Sequence, residues 1–188
     1  MAELRLFVAV NLSREIKDTI QFGLDRFPIS RPPWRWVKTD NLHVTLKFLG
    51  DTPEVHVPRL VDSLEAVGRD HLPFTIQLDR LGGFPNLRKP RVLFYKVSDG
   101  AQPLSRLAAA VDRILQDKMG LPAERKPFRA HLTVARIKRP LPEELAAQLT
   151  DVPPLPPASQ LVSSLDLMQS ELRREGAVYR CLKEIAFK

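Results

Sequence analysis

Cysteine is almost absent. Cys181 is the single one in 188 residues, so neither an intrachain disulfide nor a thiolate zinc cage can form, and the usage points to a reducing compartment. No apolar run approaches the roughly 18 residues that a membrane span needs, and Met1–Phe7 shows no basic leader ahead of an apolar stretch. A soluble cytoplasmic protein is the expectation. Also missing are the Gly-x-Ser-x-Gly turn of serine hydrolases and the paired histidines with glutamate that mark a metalloprotease helix. Acidic residues fall short of basic ones, 22 against 29, for a formal charge of +7. That excess attracts polyanions, nucleic acid first among them, or serves solubility alone. What is present is an ordinary globular composition, 44% hydrophobic and 27% charged. It disfavours disorder and coiled coil, and the length suits one domain or two small intertwined lobes.

Periodicity predicts mixed elements. Leu6, Val8 and Val10 alternate along Arg5–Asn11 as in a half-buried strand. Ser13 is a helix cap ahead of the stripe Ile16, Ile20, Leu24 and Phe27. Thr52-Pro53 reads as a second cap, for a helix with Val57, Leu60, Val61 and Leu64 inward and Gly68 as its stop. Strands are expected from Phe74 and over Arg91–Val97, separated by a turn region at Gly82-Gly83 and Pro85-Asn86. A further helix runs from about Pro103 to Met119, before Gly120. The proline-rich 140–157 stretch wraps the surface around a short helix at 143–149. Leu161–Glu171 and Ala177–Phe187 then form a hairpin through Arg173-Arg174-Glu175-Gly176. A terminal hairpin sits badly in a doubly wound parallel sheet, so the fold class is α+β.

One constellation stands out. Leu42-His43-Val44-Thr45-Leu46 and Ala130-His131-Leu132-Thr133-Val134 share one pattern: apolar, His, apolar, Thr, apolar. On a strand, His and Thr two apart project from one face while their neighbours bury on the other. The two histidines lie 88 positions apart, nearly half the chain. This suggests an internal duplication in which equivalent strands meet across a common groove. Two imidazoles with ordinary pKa values near 6.5 can supply a general base and a general acid together. Two hydroxyls and nearby cations can hold phosphoryl oxygens as charge develops, which suits in-line displacement at phosphorus. Metal binding is the competing reading, but neither motif contains a carboxylate or thiolate, and no metal or other cofactor is expected.

The paired His-x-Thr motifs resemble those of the two-histidine phosphoesterase superfamily, in its RNA 2′,3′-cyclic phosphodiesterase branch, also known by the older name 2′-5′ RNA ligase. Three further stretches carry the likeness: Arg5–Ala9 at the start, Lys47-Phe48-Leu49-Gly50 after the first motif, and Leu167–Ser170 near the end. With Ala135-Arg136 after the second motif, it spans essentially the whole chain. The resemblance implies two pseudo-symmetric α+β lobes, their antiparallel sheets forming a central groove with helices outside. Residues 1–188 would then be one bilobal domain with halves of roughly 1–88 and 89–188, the termini exchanged between lobes. It implies hydrolysis of an RNA 2′,3′-cyclic phosphate to a 2′-phosphate, with weak reversible 2′-5′ joining as an associated activity. His43 would be the general acid and His131 the general base, although the chemistry also permits the reverse. Thr45, Thr133 and Arg136 would bind phosphate, and Phe48 would stack on the terminal base. Strict alternation turns Phe48 and Arg136 away from the histidines, so each must follow a bulge or a strand end.

Basic residues gather at Arg88, Lys89 and Arg91, at Arg125, Lys126 and Arg129, and at Lys138 and Arg139, where flanking phosphates would suit them. Of these, Lys126 and Arg129, together with Tyr179, are the candidate RNA contacts. Trp34 and Trp36 offer either a stacking platform or ordinary strand packing. Two other functions stay open: a phosphodiesterase for a small cyclic phosphate such as ADP-ribose 1″,2″-cyclic phosphate, and a binding module without turnover. The expected partner is RNA or a nucleotide, and the expected oligomeric state is monomer.

Overall fold

A computed structural model describes residues 2–174 and 176–188. The amino-terminal strand is its centre. Leu6, Val8 and Val10 of β1 (Glu3–Asn11) join the main core, while Phe7 and Ala9 bury on the opposite face with Met168 and Tyr179. Burying both faces of one strand brings about 1.5–3 kcal/mol for each large apolar side chain, offset by chain entropy. Helix α1 (Arg14–Asp25) follows, its Ser13 hydroxyl accepting the Ile16 N–H as a cap, with Ile16, Ile20 and Leu24 buried. A two-residue strand, β2 (Arg35–Trp36), precedes the first motif strand, β3 (His43–Pro53).

Thr52 does not cap a helix. It lies in β3, where its hydroxyl donates to the Gly50 carbonyl, and α2 (Val57–Arg69) starts only after a short 3-10 turn. Gly68 is inside α2 rather than beyond it. The next strand, β4 (Phe74–Phe84), also outruns its expected end, because Gly82 and Gly83 continue the ladder instead of turning. The reason is a close approach: a Cβ on Gly82 would come within 2.6 Å of the Phe94 ring. Then come β5 (Val92–Asp99), α3 (Ala101–Met119), which ends at left-handed Gly120, and the second motif strand, β6 (His131–Arg136). The proline-rich stretch holds α4 (Glu143–Gln148), anchored by buried Ala146, Leu149 and Leu155.

The expected strand Leu161–Glu171 is two strands in different sheets. β7 (Ala158–Val162) pairs with β4, and after Ser163 the chain crosses to β8 (Ser164–Arg173), which pairs with β1. Alternation alone cannot reveal a change of sheet that costs one residue. β9 (Gly176–Ala186) completes the hairpin with β8; Glu175 of the expected turn lies outside the described residues.

Two antiparallel sheets result, in the orders β3-β1-β8-β9 and β2-β6-β5-β4-β7. α2 lies on β8 and β9, α1 on β7, and α3 packs on α2 while touching β3 and β5, one from each sheet. The helices are therefore outside, and the motif strands β3 and β6 approach within 8 Å between Cα atoms where the sheets meet. One buried cation tethers this seam. Lys47 of β3 donates to the Asp112 carboxylate of α3 and, at 3.0 Å, to the Pro122 carbonyl, and Asp112 also accepts the Glu124 N–H at 3.2 Å.

Removing one member of such a pair strands the other. Lys47→Ala is expected to lower the unfolding free energy by about 3 kcal/mol, read as a fall in the urea midpoint at unchanged m-value. An unchanged midpoint would show that the tether contributes nothing.

Candidate active site

Each motif strand carries the same irregularity. Ala9 opposes Thr45 and Val8 opposes Lys47, leaving Leu46 unopposed; Phe94 opposes Thr133 and Leu93 opposes Ala135, leaving Val134 unopposed. A one-residue bulge directly after each threonine shifts the alternation by one. Two consecutive residues then bury, Leu46-Lys47 and Val134-Ala135, and Phe48 and Arg136 emerge on the histidine face. Sequence parity turned both away from the groove, and these bulges are what bring them in.

The groove is a cavity of about 510 Å³. His43, Thr45 and Phe48 line it from β3, and His131, Thr133 and Arg136 from β6, while Tyr179 of β9 stands at its wall. Both imidazoles are held alike. Each Nδ1–H donates to the main-chain carbonyl two residues upstream, Asn41 at 2.7 Å and Arg129 at 2.6 Å, which fixes the tautomer and leaves Nε2 for the cavity. Thr45 Oγ1 lies 3.0 Å from His43 Nε2. Asn41 is itself tied to β9, its amide donating to the Ala177 carbonyl at 2.8 Å.

Aromatic rings wall in both imidazoles. Phe7 and Tyr179 sit 4.9 and 5.2 Å from the His43 ring, and Phe84 and Phe94 sit 4.9 and 5.2 Å from the His131 ring, centroid to centroid. Burial accordingly pushes both pKa values below the usual histidine value, against the raising effect of the carbonyl hydrogen bonds. Arg136 depresses both histidines further; Lys17 adds to this at His43 and Arg129 at His131. One guanidinium thus acts on both imidazoles. An anion bound against Arg136 would offset that repulsion and favour loading of a proton on an imidazole, coupling binding to protonation.

A family model described as the 2′-5′ RNA ligase superfamily matches residues 30–174. The chain belongs to that superfamily. It is 37% identical over 155 residues to the RNA 2′,3′-cyclic phosphodiesterase of Aeropyrum pernix, covering 81% of this chain and 86% of the relative. The Thermus thermophilus protein of the same name is 33% identical over 191 residues, covering 98% and 91%. Among solved structures, E. coli LigT complexed with 3′-AMP superposes with a TM-score of 0.78 at 26% identity, covering 100% of this chain and 99% of that one.

The remaining candidates of this superfamily member are dispersed. The Phe48 ring is 63% exposed, at the rim between the groove and a smaller recess that Lys126 lines with Arg125. Lys126 is thus beside the histidine groove rather than in it. Arg129 contributes its carbonyl to His131, while its guanidinium lies 5.2 Å from the Phe84 ring centroid. Trp34 and Trp36 pack edge to face with each other and with Phe27, away from the groove. Among the described residues, no group of three or more His, Cys, Asp or Glu side chains is gathered as a metal site would need, and no helix is long and apolar enough to cross a membrane. Sequence reasoning missed the aromatic walls Phe84 and Phe94 and the orienting carbonyls, because cross-strand neighbours and main-chain acceptors leave no local signal.

In NMR titrations both groove histidines are expected to gain their protons below pH 6.5, and Arg136→Gln to move both midpoints upward. Midpoints indifferent to Arg136 would refute the shared electrostatic control.

Proposed function

We propose that this chain hydrolyses RNA 2′,3′-cyclic phosphate ends to 2′-phosphates by acid–base catalysis between His43 and His131. The observation that carries this reading is the pair of imidazoles lining one groove, each with Nδ1 locked to a backbone carbonyl, around a shared arginine. Water attacks phosphorus opposite O3′. His131 Nε2 takes the water proton, the P–O3′ bond breaks, and protonated His43 delivers its Nε2 proton to O3′. Thr45, Thr133 and Arg136 hold the non-bridging oxygens as charge accumulates. Phe48 offers an exposed face to the terminal base. With the 5′-hydroxyl of a second strand in place of water, the same groove would join RNA ends through a 2′-5′ linkage, His131 taking the hydroxyl proton and His43 protonating O3′. Acid and base exchange only in the reverse reaction, where O3′ attacks that linkage and the 5′-hydroxyl leaves.

The unit that does this is one bilobal domain spanning 1–188, acting as a monomer in the cytoplasm. Its halves, about 1–88 and 89–188, each lend two strands to the other's sheet, β2 and β4 to the second and β8 and β9 to the first. The strand orders support this reading, because β4 pairs with β5 and β8 with β1.

The test is a short RNA with a 2′,3′-cyclic phosphate end, incubated in chelator with the parent protein and with His43→Ala and His131→Ala. The parent should yield the 2′-phosphate, and each variant should lose about 10²-fold or more in turnover at an unchanged melting temperature. A 3′-phosphate product, or full activity in either variant, would contradict the mechanism.

A further inference from the structure

A second cavity, at about 1020 Å³ twice the volume of the histidine groove, opens beside the outer ends of β5 and β6. Arg88, Lys89 and Arg91 line one side and Lys138 and Arg139 the other; Glu143 is the one carboxylate at its wall. All five cations are exposed, and among the described residues none forms an ion pair. Five positive charges around one cleft repel one another and create a potential that an anion relieves. Nothing in the packing requires them there.

The two basic segments are held together by main-chain bonds. Ile137 N–H donates to the Arg91 carbonyl at 2.9 Å, and Arg91 N–H to the Phe84 carbonyl at 2.7 Å. The Asn86 side-chain oxygen accepts the N–H groups of Arg88 and Lys89, each at 3.0 Å, which fixes the loop that presents them. The cleft also adjoins the histidine groove. Arg136, which lines that groove, pairs with Val92 next to Arg91 and is followed two residues on by Lys138, about 7 Å of extended chain. A ligand with one phosphate against Arg136 needs only to continue along the chain to reach the second cavity. Unlike the histidine groove, the cleft presents neither an imidazole nor an aromatic ring: beneath the cations are Ile137, Leu141 and Ala146. Its chemistry is that of a track for successive phosphates, without base readout.

We propose that this cleft is a second binding site, for the sugar-phosphate backbone of the RNA strand 5′ to the cyclic end. The proposal rests on the phosphodiesterase reading and makes the substrate an oligonucleotide rather than a mononucleotide. A 2′,3′-cyclic mononucleotide occupies the histidine groove alone; a longer strand engages both.

The experiment compares the parent with the variant Arg88→Gln/Lys89→Gln/Lys138→Gln/Arg139→Gln, four exposed positions. Steady-state kinetics are measured on a 2′,3′-cyclic mononucleotide and on an eight-nucleotide RNA with the same cyclic end, at several salt concentrations. The variant is expected to keep the parental kcat/KM on the mononucleotide. Its KM for the oligonucleotide should rise about 10-fold or more at low salt, with the slope of log KM against log salt reduced by about 3, near 0.7 for each single-strand phosphate that is no longer neutralised. An oligonucleotide KM and salt slope equal to the parent's would overturn the proposal. If the parent turns over neither substrate, the phosphodiesterase reading fails, and equilibrium binding of the same oligonucleotide with a 2′-phosphate end then decides on the cleft. Weaker, less salt-sensitive binding by the variant supports it, whereas equal binding, or none by either protein, overturns it.

Discussion

The placement of the groove's side chains depends on a one-residue slip made twice. A strand has a strict two-residue side-chain period, so His, Thr and the residue three beyond Thr cannot share a face unless one position is taken out of the alternation. Leu46 and Val134 are those positions. Each buries together with its successor, Lys47 or Ala135, and the next side chain turns back into the groove. Without the slips, Phe48 and Arg136 would point into the layer between sheet and helices, where an unpaired guanidinium is costly. The buried Lys47 reinforces the first slip from behind, since its bonds to Asp112 and the Pro122 carbonyl give a charged side chain a satisfied place inside.

The site's electrostatics follow from the same placement. Once Arg136 faces the groove it depresses both imidazoles, whose rings are already desolvated by phenylalanine and tyrosine neighbours. The backbone carbonyls of Asn41 and Arg129 do the orienting that a carboxylate does in many histidine sites, but without adding a negative charge beside an anionic substrate. A cationic, partly dry groove with two neutral imidazoles at rest is suited to accept a phosphodiester and to gain a proton with it. The basic cleft at Arg88–Arg91 and Lys138-Arg139 extends that preference for anions past the reacting end.

Much of this was legible in the residues. The repeated His-x-Thr pattern marked both motif strands, and the stripe behind Ser13 and the stop at Gly120 marked two helices that the structure retains. What failed was long-range. Thr52-Pro53 has cap chemistry, yet strand pairing with β1 claims it first, since Leu4 opposes Thr52. Gly82-Gly83 has turn chemistry, yet the Phe94 ring needs the missing Cβ. Leu161–Glu171 reads as one strand although it changes sheets at Ser163, because a crossing that takes a single residue leaves no turn signal in the sequence. The bulges show why parity misled at Phe48 and Arg136: cross-strand register is a property of two segments, and neither contains it alone.

Whether His43 and His131 divide acid and base work across one groove is decided by the pH dependence of kcat/KM on a cyclic-phosphate RNA, for the parent and each single alanine variant. Such a division predicts a bell for the parent with its maximum below pH 6.5, loss of the acid-side limb in His131→Ala, and loss of the alkaline-side limb in His43→Ala. A parental rate indifferent to pH, or variants that keep both limbs, would contradict it.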